Sequence, residues 1–143
     1  MKIVIINGPN LNLLGTREPE VYGSLKFEDV LSDLRECYPQ VEIQYFQSNI
    51  EGEIVNFLQE AGFNTGGIIL NAAGYSHTSV AIADAVKAIP APVVEVHISN
   101  VFSREQYRHH SYITPHCVGL ICGLGTDGYR LAVEFLLKRF NPN

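Results

Sequence analysis

An α/β sandwich built on a five-stranded parallel sheet is the fold that this sequence predicts, on three observations. Short apolar, β-branched runs recur five times, at KIVIIN, VEIQYF, GGIILN, PVVEVHI and VGLICG. Stretches of helical period lie between most of them, so each strand returns by way of a helix, which is the βαβ crossover of a parallel sheet. The chain has 143 residues, 46% of them apolar, which suits one domain over 1–143 with a single core.

Taken in order, KIVIIN is the first strand. It carries one lysine and stops at Asn7 and Pro9 with no cleavage pattern, so it does not read as a signal peptide. A polar loop follows, GPNLNLLGTREPEVY, from Gly8 to Tyr22. LKFEDVLSDLRECY then sets Phe27, Val30, Leu31, Leu34 and Tyr38 on one helical face, and Pro39 forbids continuation, which predicts a helix over 27–38. After the second strand a helix is expected over 50–61. After the third, HTSVAIADAVKAIP predicts a helix over 78–89, capped by Thr78 or Ser79 and closed by Pro90. Strands four and five and a helix over 129–140 complete the chain. No repeat, low-complexity tract or linker marks a domain boundary. Five strands in a chain of this length predict a flavodoxin-like three-layer sandwich, with strand order 2-1-3-4-5.

Such sheets bind ligands beyond the carboxyl ends of their strands, where the strand order switches. Strand one exits into Asn7, Gly8, Pro9 and Asn10; strand three into NAAGYSH, with Asn71, Tyr75 and His77; strand four into EVHISN, with Glu95, His97, Ser99 and Asn100, and then FSREQYRHHS. In the expected order these three strands are neighbours, so their polar exits converge on one crevice. Glu95 and His97 are two residues apart on one strand and share a face. Imidazole exchanges a proton near neutral pH, and a carboxylate beside it orients the ring or stabilises its charge. In the opening loop, Arg17 stands five residues before Tyr22. A guanidinium there, with Arg108 in support, favours the phenolate of a side chain whose ordinary pKa is about 10. Taken alone, Tyr22 reads first as a packed aromatic, and the loop reads either as a solvated excursion or as part of a site.

Other chemistries find less support. Net charge is −5, and no lysine or arginine cluster exists beyond Arg104 and Arg108, which argues against a nucleic-acid surface and leaves a small anionic ligand as the local reason for arginine. No apolar run is long enough to span a bilayer. The three cysteines, Cys37, Cys117 and Cys122, lack C-x-x-C spacing and read as reduced thiols of a cytoplasmic protein. The five histidines show no metal-ligand spacing; His109 and His110 are polar surface or structural hydrogen-bonders. GLGTDG, from Gly123 to Gly128, is a literal G-x-G-x-x-G, but no second βαβ half follows it, so a tight strand-to-helix turn is the expectation. There is no G-x-S-x-G elbow, and none of Lys2, Lys26, Lys87 and Lys138 lies at the carboxyl end of a strand to form a Schiff base. Acid–base chemistry remains.

GPNLNLLGTREPEVYG, HTSVAIADA, EVHISNVFSREQYRHHS and GLGTDGYRLA resemble, in order and spacing over nearly the whole chain, the type II 3-dehydroquinate dehydratases. The resemblance implies a flavodoxin-like, cytoplasmic enzyme, assembled as a dodecamer of trimers, that converts 3-dehydroquinate to 3-dehydroshikimate in the shikimate pathway or in quinate breakdown. It implies neither cofactor, metal nor Schiff base, and no nucleic-acid or membrane partner. Residue by residue, it makes Tyr22 the base, held as a phenolate by Arg17 on a closing lid. Asn10 positions a water that stabilises the enolate, and His97, set by Glu95, protonates the leaving hydroxyl. The N–H groups of Ile98 and Ser99, with the Ser99 hydroxyl, receive the substrate carboxylate. Asn71, His77 and Arg108 hold the ring hydroxyls, and Asp84 arrives from a neighbouring subunit. The chain departs from the common family pattern at NAAGYSH and at Ala83, where an arginine is usual. A flavodoxin-like binding or signalling domain, without turnover and without a special role for Tyr22, is the reading of a different class.

Overall fold

A computed structural model describes residues 1–16, 20 and 24–142; Arg17 and Tyr22 lie outside them. Five strands, β1 (Lys2–Asn7), β2 (Glu42–Gln47), β3 (Gly67–Asn71), β4 (Val93–His97) and β5 (Gly119–Cys122), form one sheet. Its order is β2-β1-β3-β4-β5 and every pairing is parallel, as the alternating pattern predicts. Among the described residues, four α-helices connect and flank it: α1 (Phe27–Cys37), α2 (Glu51–Ala61), α3 (Val80–Ala88) and α4 (Asp127–Phe140).

The central strands are apolar except at Lys2 and at Asn7, Asn71, Glu95 and His97 toward their carboxyl ends, because both their faces are covered. From Ile3 to Asn7, and over all of β3 and β4, every residue is buried, whereas the edge strands β2 and β5 are partly exposed. Side chains alternate across the sheet, so each central strand feeds two cores. Ile3, Ile5, Ile69, Val94 and Val96 pack with Phe27, Leu31, Leu34, Val133 and Leu136 of α1 and α4. Val4, Ile6, Ile68, Leu70 and Val93 pack with Ile54, Leu58, Ile82 and Val86 of α2 and α3. At about 1.5–3 kcal/mol for each large aliphatic side chain buried, these two layers supply the main driving force.

Helix limits follow local chemistry. The backbone N–H of Lys26 donates to Asp29 at the start of α1, and Tyr38 ends that helix one residue before Pro39. Of the two expected caps for α3, Ser79 is the one used: its Oγ accepts from the N–H of Ile82 at 2.9 Å. The last helix begins at Asp127, two residues earlier than its apolar pattern indicates, because Asp127 favours a first turn. Among the described residues, no helix is long and apolar enough to cross a membrane.

Candidate active site

The exits of β1, β3 and β4 meet in an open cleft of about 140 Å³. Asn10, Asn71, His77, His97, Ile98, Ser99 and Arg108, each singled out from the sequence, line it. Glu95 is fully buried and reaches the cleft only through His97. Asp84 is exposed on α3 and is not among the residues that line the cleft.

Glu95 and His97 point to the α2/α3 side of the sheet, opposite to Val94 and Val96. His97 Nε2 lies 2.6 Å from Glu95 Oε2, and Ser76 Oγ lies 3.4 Å from the same nitrogen. An uncompensated carboxylate in this position would cost several kcal/mol. Two hydroxyls offset that cost: Ser111 donates to the carboxylate at 3.2–3.3 Å, and Thr114 makes a short bond to Oε1. Burial acts to raise the Glu95 pKa, but the hydrogen bond and charge of His97 and the hydroxyl donors outweigh it and hold the carboxyl below its ordinary range. Glu95 is therefore an anion that takes the Nε2–H of His97. This leaves Nδ1, which has no partner among the described residues, as the ring nitrogen available to the cleft.

The facing groups divide into donors and one acceptor. His77 Nδ1–H donates to the carbonyl of His110 at 2.8 Å, so in the neutral ring Nε2 is an acceptor. Burial, with smaller contributions from His97 and Arg108, lowers the His77 pKa against the opposing effect of the His110 carbonyl, and keeps the ring neutral. Its plane lies 20° from that of His97, with ring centroids 6.0 Å apart. Asn71 has its Oδ1 occupied by the N–H of Ala73 at 3.1 Å, so its amide nitrogen is what it can offer. Beside them, no acceptor among the described residues takes the backbone N–H of Ile98 or Ser99. Arg104 Nη1 donates to Ser99 Oγ at 3.2 Å, and Arg108 is paired with Glu105 at 2.6 Å. Two free N–H groups with arginines alongside suit an anion; a neutral imidazole with an amide donor suits a hydroxyl.

At the β1 exit, Asn10 adopts a left-handed conformation (φ 72°), and its N–H donates to Asn49 Oδ1 at 3.0 Å. Gly8 packs so closely on β3 that a Cβ there would stand 2.7 Å from the carbonyl oxygen of Ala72. On the far side of the loop, a Cβ on Gly15 would stand 2.8 Å from the Ser24 carbonyl oxygen, so the described flanks of the segment that carries Arg17 and Tyr22 meet there.

The family described as Dehydroquinase class II matches residues 1–137. This chain belongs to that family. A 3-dehydroquinate dehydratase of Fusobacterium nucleatum is 52% identical over 147 aligned positions that cover 99% of each chain. Among solved structures, the type II dehydroquinase of Butyrivibrio crossotus superposes with a TM-score of 0.91 at 45% identity, over 95% of this chain and 97% of the other. That of Propionibacterium acnes does so with a TM-score of 0.89 at 38% identity, over 94% of each.

In this member of the dehydroquinase class II family several supporting groups are not among those singled out from the sequence. Ser76, Ser111 and Thr114 serve the Glu95–His97 pair, and a carboxylate in an apolar strand is itself the signal that hydroxyl donors must be sought. Gln47 and Asn49, from the exit of β2, hold the β1 turn: Gln47 Nε2 donates to the Gly8 carbonyl at 3.1 Å and to Asn49 Oδ1 at 3.2 Å. Applied to β2 as well, the strand-exit rule finds them. Arg104 lines the cleft beside Arg108. The glycine motif GLGTDG is the expected strand-to-helix turn between β5 and α4. Its Gly123 and Gly125 N–H groups donate to the carbonyls of His97 and Ile98, at 3.2 and 3.0 Å, so they fasten the β4 exit instead of facing a phosphate.

Proposed function

We propose that the chain is a 3-dehydroquinate dehydratase that eliminates water from 3-dehydroquinate through an enolate, giving 3-dehydroshikimate. The observation that carries this reading is the Glu95–His97 pair, at 2.6 Å, with its second ring nitrogen left to a cleft whose neighbouring Ile98 and Ser99 N–H groups are unoccupied. The substrate carboxylate is received by those two N–H groups and the Ser99 hydroxyl. A ring hydroxyl donates to His77 Nε2 and accepts from Asn71, with Arg108 at the same side. Tyr22, as a phenolate supported by Arg17, takes the proton from C2 beside the ketone. The electron pair passes into the enolate, stabilised by a water that Asn10 positions. Its return expels the C1 hydroxyl, which leaves as water with the proton delivered by His97.

The chemistry requires this division of labour. A proton beside a ketone is weakly acidic, so a strong base and a stabilised oxyanion must act together, and each positioned acid or base contributes about 10²–10⁴ in rate. Glu95 holds the imidazolium in place between turnovers without itself taking the proton. Asp84 is supplied across a subunit boundary in a dodecamer of trimers, and a monomer in sedimentation would remove it from the site. The direct test is the absorbance of the conjugated enone product from 3-dehydroquinate, with wild type and with Tyr22→Phe and His97→Ala, in the presence of a chelator and of borohydride. Turnover that survives both reagents and falls at least about 100-fold in each variant supports the reading. A folded wild type with no turnover refutes it.

A further inference from the structure

Beneath the cleft, on the α1/α4 side of the sheet, lies a polar network that the chemistry above does not use. Asn7 and Asn71 are direct register partners at the carboxyl ends of β1 and β3. Tyr129, in the first turn of α4, is fully buried between them. Its hydroxyl donates to Asn7 Oδ1 at 2.8 Å and accepts from Asn71 Nδ2 at 2.9 Å; Asn7 Nδ2 in turn donates to Tyr45 Oη at 3.4 Å. Burial drives the Tyr129 phenol far above its ordinary range, so it keeps its proton and must give it to one acceptor. That acceptor is Asn7.

The consequence falls on Asn71. Were its amide reversed, the oxygen would face a hydroxyl whose proton is already given to Asn7, and the nitrogen would face the N–H of Ala73, donor against donor. Ala73 is itself in the left-handed region, φ 52°, and lines the cleft on the way to His77. The GLGTDG motif makes the arrangement possible. Gly123 and Gly125 turn the chain at φ 88° and 62°, and a Cβ on Gly128 would stand 3.1 Å from Val96 Cγ1, so α4 enters close against β4 and carries Tyr129 under the β1 and β3 exits.

We propose that Tyr129 is a positioning residue: by fixing the Asn71 amide it ensures that only an N–H donor is presented to the cleft, and so sets the affinity for a ligand hydroxyl. The inference rests on the dehydratase reading and assigns a role within it. It is tested by a double-mutant cycle of Tyr129→Phe and Asn71→Ala, with kcat and KM measured on 3-dehydroquinate. Tyr129→Phe alone is expected to raise KM about tenfold with kcat changed less than about twofold. In the Asn71→Ala background the same change is expected to alter kcat/KM less than about twofold, because the group through which it acts is gone. Effects that simply multiply in the double variant overturn the proposal, since a purely structural tyrosine is indifferent to Asn71. The phenylalanine ring keeps its edge contact with Phe27, at 4.9 Å between centroids. Should that variant not fold, Asn7→Ala removes the acceptor instead, and the same dependence on Asn71 is required of it. An active wild type with multiplicative effects refutes this inference alone; an inactive wild type refutes it together with the dehydratase reading.

Discussion

Two glycine-to-alanine substitutions of identical chemistry are expected to move stability in opposite directions. At Gly8 an added Cβ stands 2.7 Å from the Ala72 carbonyl oxygen and 2.9 Å from its carbonyl carbon. Both are backbone atoms of the neighbouring exit, tied by the 2.7 Å bond from the Gly8 N–H to the Asn71 carbonyl, so no side chain can rotate away. Restricting the unfolded chain gains about 0.4–1 kcal/mol, whereas overpacking against a fixed neighbour costs about 1–3 kcal/mol. The net loss is about 1–2 kcal/mol, or about 3–6 °C in Tm for a chain of this size. At Gly52 nothing lies within 4 Å of the added methyl group, the position is exposed, and it sits in the first turn of α2. Helix propensity alone then acts, giving a gain of about 0.5–1 kcal/mol and a Tm higher by about 2–3 °C. Calorimetry of both variants against wild type, at one protein concentration, reads the signs directly. Gly8→Ala also displaces the Asn10 and Asn71 exits, so its kcat/KM is expected to fall about 10–100-fold, while Gly52→Ala retains wild-type activity. A Gly8→Ala protein as stable as wild type would mean that the β1 and β3 exits yield freely, and the reasoning from close approach would be wrong.

Other expectations follow from the buried titrating groups. Because the Glu95 carboxyl is held below its unfolded pKa, the stability it contributes is fully present above about pH 4.3 and is lost as pH falls through its folded value. Urea unfolding between pH 6 and 3 should therefore show a steeper decline for wild type than for Glu95→Gln, and parallel declines would contradict the assignment. At neutral pH the same variant should be about 3 kcal/mol less stable, since three donors then converge on a neutral amide. Burial, aided by the charge of Glu95, pushes the Cys117 thiol up to about 12, whereas Cys37 is exposed. Iodoacetamide at about pH 8 should label Cys37 in the native protein and Cys117 only after unfolding, as read by peptide mass spectrometry.

The sheet was legible in the sequence because two independent signals agree: strands buried on both faces must be continuously apolar, and their alternation with helices forces parallel pairing. The convergence of Asn10, Asn71, His77 and His97 followed from strand order alone. What the sequence conceals are partners joined through space. Nothing local to Thr114 indicates that its hydroxyl serves Glu95, nineteen residues earlier, and nothing local to Tyr129 indicates Asn7, 122 residues away. Both belong to a single physical demand, that buried polar groups be satisfied. That demand names the need without naming the donor. Helix limits shifted by one or two residues where a cap, such as Ser79, or an acidic first turn, such as Asp127, extends or trims the apolar pattern.

The alternation of side chains across the sheet has an evolutionary consequence. Glu95, His97, Ser111 and Thr114 belong to the α2/α3 layer, whereas Asn7, Asn71 and Tyr129 belong to the α1/α4 layer, with the strands as a partition between them. Under the proposed reading, proton delivery is maintained from one side, and the Asn71 share of hydroxyl recognition from the other. Drift in one layer can then retune turnover while the other preserves binding. Lineages of such a protein are free to adjust the two traits one at a time, without crossing a stage in which both are impaired.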